Sequence, residues 1–286
     1  MRGSTEAIGI VYPAGVENLG NPQFLDMAGG LSERLLEQHF DQMLAVSSDE
    51  VDLDLDIYDR LFRGGRVYAV VLPNTRVEDT RVNYLLEKGF PFRAYGRSWK
   101  CSGYSWFDFD NDAGSKLAVR HFVAFGHSRI AYVHSPLLLN FALRRHRVFL
   151  AGFQEAGLSF DPACLAGPAV VRRSGREAVP ALMALEQRRT AIVVDNNLGG
   201  IGVMRSLMDQ GLRFSKNISA VVHGVIPADS LLVGLDATMV TKPTAHSPGV
   251  TMADMVLQVL SEPTAGPFQT LRQSKLMVGQ TTGPRN

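Results

Sequence analysis

The chain is poor in cysteine. Cys101 and Cys164 are the only two in 286 residues, too few for a disulfide framework and expected to be free thiols in a reducing compartment. No charge of one sign dominates: 29 Lys and Arg face 28 Asp and Glu, a net charge of +1. That balance does not match a surface built to coat nucleic acid. No apolar run is long enough to span a bilayer. The start, Met1-Arg2-Gly3-Ser4-Thr5-Glu6, lacks the apolar core of a secretion signal. The chain is therefore expected to be cytoplasmic, with no membrane partner.

Catalytic and metal signatures are missing as well. Gly126-His127-Ser128-Arg129-Ile130 and Gly103-Tyr104-Ser105-Trp106-Phe107 begin like a nucleophile elbow but lack its closing glycine. Gly200-Ile201-Gly202 follows a strand-like run, yet Arg205 stands where a dinucleotide loop needs glycine for close packing. Asp52-x-Asp54-x-Asp56 and Asp108-x-Asp110-x-Asp112 start like calcium loops, but Ile57 and Ala113 replace the turn glycine. No His-x-x-x-His or Cys-x-x-Cys pair is present. These failures point away from an enzyme and from any metal or cofactor.

What is present is ordinary globular composition, 45% hydrophobic and 20% charged, at a length that suggests two folding units. Short apolar runs alternate with helical stretches. Residues 7–12, 67–72, 130–133, 190–194, 218–222 and 276–278 read as strands. Residues 22–39, 78–88, 112–125, 140–155, 198–210 and 248–260 read as helices. Asn21 suits the cap of the 22–39 helix, and Pro22 its first position. In the 112–125 helix, Leu117, Ala118, His121, Phe122 and Phe125 share one face, which makes His121 a core histidine. Alternation of strand, helix and glycine is the pattern of parallel α/β construction. The absence of a linker between two such units suggests lobes joined by several crossings.

Six segments in order resemble the LacI/GalR family of bacterial transcription regulators: Ile8-Gly9-Ile10-Val11-Tyr12-Pro13 with Asn21-Pro22-Gln23-Phe24; Gly89-Phe90-Pro91-Phe92 to Tyr95-Gly96-Arg97; Asp108-Phe109-Asp110-Asn111 leading to Gly126-His127-Ser128-Arg129-Ile130; Ala151-Gly152-Phe153; Thr190-Ala191-Ile192-Val193 with Asn196-Asn197; and Ile218-Ser219. The resemblance implies an α/β fold of two doubly wound parallel-sheet lobes with a ligand cleft between them, of the type I periplasmic-binding-protein kind. It places one lobe at 5–126 plus 242–268 and the other at 127–241 plus 269–286. It implies a homodimer that senses a small-molecule effector, a carbohydrate or related polar ligand. Operator DNA would be bound through an N-terminal domain absent from this chain. The alternative from another class is a solute-binding protein of a sugar transport system.

The resemblance also selects site residues. Asn21 and Phe24 match a first-helix start where one residue hydrogen-bonds the ligand and an aromatic ring stacks on it; a plain cap and a core phenylalanine are the alternatives. Asp110 matches a carboxylate that accepts hydroxyl hydrogen bonds, or else caps the following helix. The family's arginine clamp falls on Phe149 here, so Arg145 and Arg147 are the substitutes, against a solvated basic helix face. Asn196, with Asn197, stands where an Asn-Asp pair is usual, and His223 stands near a usual acidic pair. Arg147 and Asn196 are expected in one lobe, with Asn21 and Asp110 in the other. Asp52, Asp54, Asp56 and Asp59 read as a solvated face, and Tyr95, Trp99, Tyr104 and Trp106 as an aromatic cluster open to sugar stacking or to packing.

Overall fold

A computed structural model describes residues 6–14, 16–47, 55–186, 189–227, 230, 234–241, 246–262 and 266–285. Along the chain, the first unit contains β1 (Ala7–Pro13), α1 (Val16–Leu19), α2 (Pro22–Leu36), β2 (Asp41–Ser47), α3 (Asp56–Phe62), β3 (Ala69–Pro73), α4 (Thr80–Lys88), β4 (Phe92–Tyr95) and β5 (Trp106–Phe109). The second contains α5 (Asn111–Ala124), β6 (Ile130–Val133), α6 (Asn140–Glu155), β7 (Leu165–Ala166), α7 (Arg172–Met183), β8 (Ala191–Val194), α8 (Asn197–Asp209), β9 (Ser219–His223) and β10 (Thr238–Thr241). The chain returns to the first unit for α9 (His246–Ser261) and β11 (Gln269–Arg272), then ends in the second with β12 (Lys275–Met277).

Each unit has one six-stranded sheet. The first is ordered β11-β5-β4-β3-β1-β2 and is parallel throughout. The second is ordered β12-β10-β9-β8-β6-β7, and only its edge strand β12 runs antiparallel. Both faces of each sheet are covered, which is why the strands read as unbroken apolar runs. In β1, Ile8, Ile10 and Tyr12 pack with α2 and α9, while Val11 joins Ile57, Leu61 and Leu85 on the other face. In β6, Ala131 and Val133 pack with α7 and α8, and Ile130 and Tyr132 with α5 and α6.

Local chemistry sets the helix ends near the site. The Asn21 side chain accepts from the Gln23 amide at 3.0 Å and Pro22 occupies the first turn of α2. Asp110 caps α5, accepting from the Ala113 amide at 2.9 Å. Helix α2 ends at Leu36 rather than at His39, which lies in the left-handed region at φ 60°.

The structure corrects the expected division. The first crossing lies after Phe109, not after residue 126, and β11 belongs to the first unit. Helix α5 goes with the second unit because it packs on α6: Ser115 donates to the Arg145 carbonyl at 2.7 Å, and a Cβ on Gly152 would meet Val119 at 2.9 Å. The expected return crossing at 241/242 borders residues outside the described ones. Asp110 therefore shares a unit with Arg145 and Asn196 and not with Asn21. Asp52 and Asp54 also lie outside the described residues. Asp59 is no idle surface acid, since it accepts from the Tyr84 hydroxyl at 2.7 Å and pairs with Arg63 at 3.3 Å.

Two histidines hold the C-terminal segment to the second unit. His127 is buried; its Nε2 donates to the Gly283 carbonyl at 3.0 Å and its Nδ1 accepts from the Thr190 hydroxyl at 2.9 Å. His121 reaches the Thr282 hydroxyl at 2.9 Å, so it is hydrogen-bonded rather than merely packed. Burial lowers the pKa of both rings from 6.5; the charge of His127 adds to this for His121, and for His127 the Gly283 hydrogen bond opposes it while the Arg285 charge adds to it. A depressed folded-state pKa means the stability is present above the unfolded pKa and is lost as the pH falls below it. Urea unfolding followed across pH should therefore show stability declining as the pH drops below about 6.5. His127→Gln, which keeps a donor toward Gly283 but cannot titrate, should flatten that decline.

Candidate functional site

In parallel α/β sheets ligands gather beyond the carboxyl ends of the strands. In the second unit those ends converge on Asp195, which follows β8 and is fully buried. Its carboxylate accepts from the Ser135 amide at 2.7 Å, the Ser135 hydroxyl at 2.6 Å and the Asn196 amide at 3.2 Å. Burial pushes the Asp195 carboxyl above the usual range, and the nearby Arg145 charge and these donors pull against it.

Arg145 is the cation of this end. Its Nε donates to the Asn111 side chain at 2.9 Å, its Nη1 donates to the Asp195 carbonyl, and its guanidinium lies 4.9 Å from the Phe141 ring centre. Asn111 is the first residue of α5 and Arg145 lies on α6. One guanidinium therefore ties two helices to the end of β8. Arg147 is exposed; two residues on in a helix point to a different face. Phe149, at the position of the expected clamp, is fully buried and stacks on Tyr132 at 4.4 Å. The guanidinium thus comes from one helical turn earlier.

Asn196 caps α8. Its Oδ1 accepts from the Gly199 amide at 2.7 Å, and its Nδ2 donates to the Ser135 hydroxyl at 3.0 Å and the Ala169 carbonyl at 2.5 Å. Cap and network member are one residue here. His223 ends β9 and is buried. His134, after β6, donates through Nδ1 to the Ser135 carbonyl at 2.8 Å and stacks near His146 at 6.1 Å. Asp110 receives Ser274 on its carbonyl at 3.1 Å and Gln273 on its carboxylate at 3.4 Å. Sequence reasoning did not select Asn111, Ser135 or Asp195. Their signal was position alone, each within two residues of a strand end.

The first unit presents a different surface. Tyr12, at the end of β1, stacks on Phe24 of α2 with centroids 4.0 Å apart. Burial raises the Tyr12 phenol to about 12, against a side-chain hydrogen bond with Asn74. Asn74 follows β3 in the left-handed region at φ 53°, and its carbonyl accepts from Arg81 at 2.9 Å. Arg81 grips the buried Asp79 with two bonds, at 2.9 and 2.7 Å. Burial alone would raise the Asp79 carboxyl, but the Arg81 guanidinium outweighs it and holds the pKa below the ordinary value. Trp106 and Tyr104 are buried, whereas Trp99 is half-exposed, so most of the expected aromatic cluster is packing.

A family model described as periplasmic binding proteins and the sugar binding domain of the LacI family matches residues 5–278. The HTH-type transcriptional regulator RafR of Escherichia coli is 34% identical over 260 residues, 91% of this chain and 76% of that protein. The chain belongs to the LacI family. The regulator AglR of Rhizobium meliloti is 27% identical, over 99% of this chain and 79% of its own length. A solved structure of a candidate transcriptional regulator from Yersinia pestis is 34% identical, covers 99% of this chain and 100% of its own, and superposes with a TM-score of 0.85. The CelR–cellobiose complex, at 22% identity and a TM-score of 0.83, shares the fold over 97% of this chain and 84% of its own. The chain is thus the effector-binding core of a LacI-family regulator, and the regulator reading prevails over the transport one.

Arg145→Ala should weaken effector binding about ten-fold or more. It should also lower stability by about 1–3 kcal/mol, because Asn111 and the Asp195 carbonyl lose a buried donor. Arg147→Ala should change neither beyond about 0.5 kcal/mol. Phe122→Ala, a fully buried ring, should cost about 3–5 kcal/mol and leave the strand ends intact. Titration calorimetry and urea unfolding of the three variants check this set, and an Arg147→Ala that loses binding while Arg145→Ala keeps it would sink the assignment.

Proposed function

We propose that this core senses a neutral carbohydrate, held by Asn21, Phe24, Asp110, Arg145, Asn196 and His223 at the strand ends. The observation that carries the reading is the Arg145–Asn111–Asp195–Asn196 network. Its one cation lies beside a buried carboxylate, so the local charge is already balanced. The remaining polar groups are the Asp110 carboxylate, which can accept from sugar hydroxyls, and amides, hydroxyls and imidazoles, which donate and accept without charge. A phosphorylated sugar would need a positive excess that the network around Asp195 does not supply among the described residues. The Tyr12–Phe24 stack adds an aromatic surface of the kind that sugar rings pack against. Solved relatives of the same fold include the CelR–cellobiose complex and a LacI-family regulator of Enterococcus faecium with bound ribose.

A thermal-shift screen of neutral mono- and oligosaccharides alongside their phosphate esters tests the reading. A neutral sugar present at 100 times its Kd should add about 2.7 kcal/mol of stability. Stabilisation by phosphate esters alone would overturn it.

The regulator is further read as a cytoplasmic non-enzyme that acts on operator DNA as a homodimer, its effector shifting DNA affinity through a coupling of about 1–3 kcal/mol. Sedimentation equilibrium should give a dimer mass; a monomer at every concentration tested would refute the dimer.

A further inference from the structure

A carboxylate with no solvent exposure is costly, and an uncharged side chain at position 195 would avoid that cost. The surroundings of Asp195 have the make-up of an anion site that is already filled. The Ser135 amide and hydroxyl donate to it at 2.7 and 2.6 Å, and the Asn196 side-chain amide donates at 3.2 Å. The Ser135 hydroxyl also accepts from Asn196 at 3.0 Å, so its single proton goes to the carboxylate. Each of these bonds is donated to the acid, which is the pattern of an ionised carboxylate.

Two positive fields converge on the same point. Asp195 directly precedes Asn196, the cap of α8, and the first turn of that helix contains no acid. The carboxylate therefore lies at the positive end of the α8 dipole, where anions are favoured. Arg145 donates to the main-chain carbonyl of Asp195, and its charge acts on the carboxylate as well. With the acid removed, two donors from Ser135, a helix terminus and a guanidinium would together form a site for an external anion.

We propose that Asp195 is a specificity-determining residue of the effector end: a built-in anion that fills this site and so keeps phosphate- and carboxylate-bearing effectors out. The exclusion has two parts. The donors that an incoming anion would need are committed to Asp195, and a second negative charge beside it would be repelled where water is excluded. The inference rests on the neutral-carbohydrate reading above and names the residue that enforces it.

Chemical rescue tests the proposal. Asp195→Ala removes the carboxylate and leaves room for formate. In sodium chloride this variant should melt well below the parent chain. Sodium formate at the same ionic strength should recover at least half of the lost melting temperature, because the anion binds the folded state. Asp195→Asn keeps the shape and leaves no room, so it should melt low and gain nothing from formate. In the parent, formate and sulfate should act no differently from chloride. Adding Arg145→Gln to Asp195→Ala should raise the formate concentration needed at least ten-fold. If Asp195→Ala is insoluble in chloride, its soluble yield in formate replaces melting as the readout. Equal behaviour of Asp195→Ala in formate and chloride would overturn the proposal. So would millimolar sulfate binding by the parent that Arg145→Gln removes. The two failures separate: no formate effect with neutral-sugar binding intact removes only the role of Asp195, whereas stabilisation of the parent by phosphate esters alone overturns the carbohydrate reading as well.

Discussion

The second unit is organised around one buried carboxylate. Asp195 has no solvent, so every one of its hydrogen bonds must come from the protein, and an unpaired charge there would be costly. Ser135 supplies two donors from the end of β6, and Asn196 supplies one from the cap of α8. Arg145 brings the opposing charge from α6 and is itself steadied by Asn111 on α5. Two strands and three helices therefore meet at a single charge, and their ends cannot shift separately.

The first unit reaches the same rigidity by other means. Asp79 and Arg81 form a buried two-bond pair, and Arg81 also holds the Asn74 carbonyl. Asn74 then meets Tyr12, which stacks on Phe24. Charge is spent inside the protein in both units. The first unit keeps an aromatic face at the Tyr12–Phe24 stack, and the second keeps amide, hydroxyl and imidazole groups beside its paired charges.

Much of the architecture was written in the chain itself. Strands buried on both faces must be apolar throughout, so β1, β3, β6, β8 and β9 stood out as runs. Asn21 with Pro22, and Gly126 after α5, marked helix ends because caps and left-handed turns demand those residues. Elements without such signals escaped. β2 is a half-exposed edge strand with no unbroken apolar run, and α7 opens with arginines and contains Pro180, which obscure the helical spacing of its buried Val179 and Leu182. The shared unit of α5 and α6 was also hidden, because Ser115 and Gly152 look neutral until the partner helix is present.

For the site, the family motifs chose Asn21, Phe24, Asp110, Asn196 and His223 by position, and the chain alone determined that the clamp position holds Phe149. Only tertiary structure shows Arg145 buried and Arg147 exposed, because a difference of two residues in a helix separates one face from another. Only tertiary structure revealed Asp195, Ser135 and Asn111 as partners, since they are distant in sequence and meet through strand order and helix packing. Periodicity reports which side of an element is buried; it carries no record of which charges that burial forces together.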